Sequence, residues 1–83
     1  MLITKEIKKD IERIVSFLNV TGVDIEEKYG TRVSVGIGIR NIGVGGLLEL
    51  RKRLELELSF IISDYLYEKL GYGISVTADI SCQ

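Results

Sequence analysis

Leu47-Leu48-Glu49-Leu50-Arg51-Lys52-Arg53-Leu54-Glu55-Leu56-Glu57-Leu58-Ser59-Phe60 carries two hydrophobic periods at once. Leu48, Leu50, Leu54, Leu56, Leu58 and Phe60 alternate with polar residues, as in a half-buried strand. Leu47, Leu50, Leu54 and Leu58, continued by Ile61 and Tyr65, recur every three or four residues, as in a helix. Propensity separates the two. Residues 47–60 hold no Val, Ile, Thr or Tyr and consist mainly of Leu, Glu, Arg and Lys, which lose little side-chain freedom in a helix. The stretch therefore predicts a long helix over 47–70, with Gly71 as the residue that ends it. As a strand it would instead join the other alternating segment in a ribbon suited to edge-to-edge assembly.

The segments on either side fall into place around that helix. Residues 41–46, Asn-Ile-Gly-Val-Gly-Gly, read as a flexible loop. Before it, Val33, Val35, Ile37 and Ile39 alternate with Arg32, Ser34, Gly36, Gly38 and Arg40, a strand with one apolar face and one nearly bare face. Residues 23–29 alternate as well, with Val23, Ile25, Glu27 and Tyr29 on one side, and their charges suit a sheet edge. Gly30-Thr31 supplies the turn between these strands. Residues 4–18 make an amphipathic helix capped by Thr4, with Ile7, Ile11, Ile14, Val15 and Leu18 on its apolar face. Beyond Gly71, Ile74, Val76, Ala78 and Ile80 alternate with Ser75, Thr77, Asp79 and Ser81 in a last strand over 73–81. The order α-β-β-α-β predicts an α+β fold. Residues 1–83 form a single domain, a three-stranded mixed sheet with two helices packed on one face.

Composition limits the chemistry. The chain has 83 residues, 46% hydrophobic and 28% charged, which fits one globular domain with a thin core. Its formal net charge of −1 gives no strong drive toward a phosphate backbone. There is no histidine and a single cysteine, Cys82. Histidine-based triads and Cys/His zinc sites are thereby excluded, and the single thiol has no partner for an internal disulfide. No metal site and no cofactor are expected, and a catalytic role is not indicated. Residues 1–10 lack an apolar leader segment, and no apolar run approaches the roughly 20 residues of a membrane span. A cytoplasmic chain is the simplest expectation.

Two groups of residues are candidates for binding. The long helix is apolar on more than one side. If the stripe through Leu47, Leu50, Leu54, Leu58, Ile61 and Tyr65 covers the sheet, then Leu48, Leu56, Phe60, Leu66 and Tyr67 project away from it. They would meet another chain, so a homo-oligomer is expected, with a dimer favoured. The alternative is a small nucleic-acid- or nucleotide-binding module built on the glycine loop. Gly43, Gly45 and Gly46 precede a helix start, with Arg40, Arg51 and Arg53 nearby. No lysine follows in the P-loop position, and Glu49, Glu55 and Glu57 surround the arginines.

From Arg32 to Ser81 the chain resembles the alkaline shock protein family. The likeness rests on the strand Val33 to Ile39, Ile42-Gly43-Val44, the long helix, and Glu68-Lys69-Leu70-Gly71-Tyr72 leading into the strand Ile74 to Ile80. That resemblance implies a non-enzymatic, self-associating protein. The order of a helix, a strand led by Thr21-Gly22-Val23, a hairpin, a helix and a strand is also similar to the cytoplasmic C-terminal domain of cation diffusion facilitators. That unit dimerises. Its metal ligands are largely histidines, which this chain lacks, so the likeness implies shape and pairing without metal sensing.

Overall fold

Thr4 begins the fold as a helix cap, its Oγ1 accepting from the Ile7 N–H at 3.2 Å. The computed structural model describes residues 3–40 and 47–82, with residues 47–49 and 82 described by their backbone alone. Helix α1 spans Lys5–Ile14, strand β1 Val20–Lys28, strand β2 Arg32–Ile39, helix α2 Leu47–Leu70 and strand β3 Ser75–Cys82. The expected order and mixed sheet are both present. β1 pairs antiparallel with β2, and β2 pairs parallel with β3, in the order β1-β2-β3. The segment 47–60 is helical throughout.

α1 is shorter than its apolar stripe. It ends at Ile14, where the Ser16 and Leu18 N–H groups bond three residues back, to Arg13 and Val15 carbonyls. The Ser16 hydroxyl also donates to the Arg13 carbonyl at 2.7 Å, which competes with continuation of the helix. β1 starts three residues earlier than its alternation suggests. Val20 pairs with Ile39 and Gly22 with Gly38, so Thr21 is an extra residue in β1. This bulge returns Val20 to the core side, where it packs against the buried cluster. Tyr29 departs from the face assigned to it. It belongs to the turn, at φ +57° beside Gly30 at φ +68°, and is exposed.

The core lies between the sheet and the two helices. Val33, Val35 and Ile37 of β2 pair in register with Val76, Ala78 and Ile80 of β3. Above them sit Ile7, Ile11 and Val15 from the first helical segment and Leu58, Ile62 and Leu66 from α2. Glu27, half-buried on the core side of β1, ties the entry of α1 to the strand, because its Oε1 accepts from the Ile3 N–H at 2.7 Å. The two helices run antiparallel. Tyr65 Oη donates to Asp10 Oδ2 at 2.5 Å, and Lys69 Nζ lies 3.2 Å from Glu6 Oε1. Gly71 ends α2 as expected, at φ +84°, with its N–H bonded to the Tyr67 carbonyl at 2.8 Å.

Candidate functional site

One flank of α2 fixes how the helix is turned. Glu55, Ser59 and Ser63 recur every four residues and so form a single row. That row meets the outer edge of β3. Glu55 Oε2 accepts from the Ile80 N–H at 2.7 Å, Ser59 Oγ accepts from the Ala78 N–H at 2.9 Å, and Ser63 Oγ donates to the Ile74 carbonyl at 3.0 Å. With this row drawn to the strand edge, the adjoining row Leu54, Leu58, Ile62 and Leu66 points into the sheet.

The sheet-covering stripe expected from sequence is therefore rotated. Leu50 and Ile61, assigned to the core, are 58% and 49% exposed, whereas Ile62 is fully buried. Leu66 is corrected for the same reason. The sequence places it on the second apolar surface, but it lies eight residues after Leu58 on the inward row and has no exposure. Nothing in the apolar pattern of α2 distinguishes the two stripes. The polar row 55-59-63 does, once a strand edge is known to lie beside it.

Leu56, Phe60 and Tyr67 are where the second surface was expected. They are 61%, 65% and 59% exposed. At the helical turn angle they fall within about 40° of one another, on the side of α2 turned away from the sheet. The side chain of Leu48 lies outside the described residues.

Among the described side chains, the charges on this outer side are sorted along the helix. Lys52 and Arg53 are exposed near its start, and Glu57, Asp64 and Glu68 are exposed from its middle to its end. Among the described residues, none of these five side chains takes part in an ion pair or hydrogen bond. Glu55 and Lys69 are already engaged, the first with β3 and the second with Glu6 of α1.

The alternative ligand-binding group is not gathered in the same way. Gly43, Gly45 and Gly46 lie outside the described residues. Arg51 and Arg53 stand about 200° apart around the helix axis, so they leave α2 on different sides. Arg51 is half-buried, and its Nε has no hydrogen-bond partner among the described residues. Arg40 is exposed at the far end of β2, beside Asn19, whose carbonyl accepts its backbone N–H at 3.0 Å.

No family model matches the chain, and neither a curated protein nor a solved structure does. Function must therefore be read from the molecule itself. The open face of the sheet is polar. Asp24 and Asp79 stand on either side of Gly36, and Glu26 and Thr77 on either side of Ser34. Among the described residues, no group of three or more His, Cys, Asp or Glu side chains is placed to hold a metal ion. Open hollows line α1, one beside Glu12, Ser16 and Val23 and another beside Ile3, Lys8 and Glu27. The first has the Glu12 carboxylate and the Ser16 hydroxyl in its lining, the hydroxyl donating to the Arg13 carbonyl at 2.7 Å. No described helix is long and apolar enough to cross a membrane.

Proposed function

We propose that this chain is a self-associating assembly domain that acts through protein–protein contacts made by α2. The observation that carries the reading is the exposed row Leu56, Phe60 and Tyr67 on a helix whose opposite side already forms the core. Aromatic and leucine side chains grouped on one exposed face lose unfavourable hydration when a second surface covers them. Tyrosine and phenylalanine are also enriched at the centres of protein interfaces. The resemblance in element order to the alkaline shock protein family points the same way.

Light scattering over a range of protein concentration tests the reading. The native chain should show a mass above that of the 83-residue monomer, rising with concentration. Phe60→Ser and Leu56→Ser should each lower that mass while leaving the circular dichroism spectrum unchanged. Ile62→Ala serves as the contrast. It empties a fully buried site and should cost roughly 2–5 kcal/mol of folding stability. A native chain that remains monomeric throughout the range rules the proposal out.

A further inference from the structure

We infer that the partner of the α2 outer face is a second copy of this chain lying antiparallel to it, about a two-fold axis passing between Leu56 and Phe60. This rests on the self-association proposed above and adds the orientation. The sorting of charge along α2 carries it. Lys52 and Arg53 lie toward the start of the helix and Asp64 and Glu68 toward its end, all exposed and unpaired among the described residues.

The two ways of laying one α2 against another differ sharply. In a parallel pair each residue meets its own copy, so Arg53 faces Arg53 and Asp64 faces Asp64, and both contacts repel. In an antiparallel pair with the axis between Leu56 and Phe60, Leu56 of each copy packs on Phe60 of the other. Arg53 and Asp64 lie on the same flank of the apolar row, so Arg53 of each copy then lies beside Asp64 of the other, a contact that occurs twice by symmetry. The opposed helix dipoles favour the same orientation. Glu57 falls close to the axis and so lies beside Glu57 of the other copy, one repulsive contact set against the two Arg53–Asp64 attractions. The apolar row supplies the contact and the charge order selects its direction.

Charge reversal distinguishes the orientations. Dissociation constants are measured by sedimentation for the native chain, Arg53→Glu, Asp64→Arg and the double variant, all in a Cys82→Ser background. In the antiparallel pair each single reversal turns two attractive contacts into repulsive ones. Each should weaken the dimer by on the order of tenfold at low salt, and the double variant should return to within about threefold of native. In a parallel pair each single reversal only exchanges one like-charged contact for another, and the double variant restores nothing. A dimer with little response to the single reversals, or with no rescue, overturns the orientation and leaves self-association standing. A native chain without any dimer overturns both.

Discussion

Tyr29 holds a backbone conformation that few side chains adopt willingly. Its φ is +57°, the next residue is Gly30 at φ +68°, and the Thr31 N–H closes the turn on the Lys28 carbonyl at 3.3 Å. Two successive positive φ values are what a type I′ hairpin turn requires, and Asn-Gly suits them better than Tyr-Gly. The ring is 93% exposed, so it makes little packing to offset the strain. Tyr29→Asn should therefore raise stability by about 1 kcal/mol, read as a higher urea midpoint. A fall in the midpoint would mean that the ring contributes more than its surroundings indicate. Tyr65 is the opposite case, a tyrosine whose hydroxyl is in use. Burial, the hydrogen bond to Asp10 and the negative charges of Asp10 and Glu6 push its pKa from 10.0 to about 12, against the pull of Arg13. The fold thus favours the neutral hydroxyl. The stability it contributes is whole below pH 10 and is lost as pH rises toward 12. Urea midpoints followed upward in pH should fall more steeply above pH 10 for the native chain than for Tyr65→Phe. Equal slopes would remove Tyr65 as the cause.

At the scale of an element, α2 does two jobs with neighbouring rows. The row Leu58, Ile62 and Leu66 buries apolar surface, while Glu55, Ser59 and Ser63 satisfy the outer backbone groups of β3. Removing Glu55 or Ser59 leaves a backbone donor of β3 without its partner, and removing Ser63 leaves the Ile74 carbonyl without one. Ser59→Ala should cost about 1–3 kcal/mol and speed hydrogen exchange at the Ala78 amide, with the Ile80 amide much less affected. Unchanged exchange at Ala78 would show that the Ser59 hydroxyl is not its principal acceptor. Much of this element was legible. Leucine, glutamate, arginine and lysine outweighed the alternating pattern, and Gly71 marked the end. Its rotation was not, because 54-58-62-66 and 47-50-54-58-61-65 are equally apolar. Which stripe turns inward depends on hydrogen bonds to a strand distant in sequence. The Thr21 bulge was hidden for a similar reason, since an extra residue shows only against the register of its neighbour.

Over the whole molecule, element order, the mixed sheet and the placement of both helices on one face could be read from hydrophobic period and turn residues. The candidate surface could be read in part. Leu56, Phe60 and Tyr67 stand out because α2 has more apolar residues than one face can bury, while Leu66 illustrates how a single step around the helix exchanges surface for core. The molecule is 39 Å along its longest axis, close to the roughly 36 Å expected of the 24-residue α2 alone. The helix thus runs nearly the full length of the molecule.

The polar row of α2 also sets a valence. A sheet that adds copies of itself strand to strand needs a free margin on each side, one to receive and one to pass on. Here the β3 margin is occupied from within by Glu55, Ser59 and Ser63, which among the described strands leaves β1 as the one able to accept a neighbour. In strand-to-strand joining, a unit with one free margin behaves as a chain terminator: two can meet through β1, and a third finds no strand margin left to it. Growth of this sheet into a fibre would first require α2 to let go of β3.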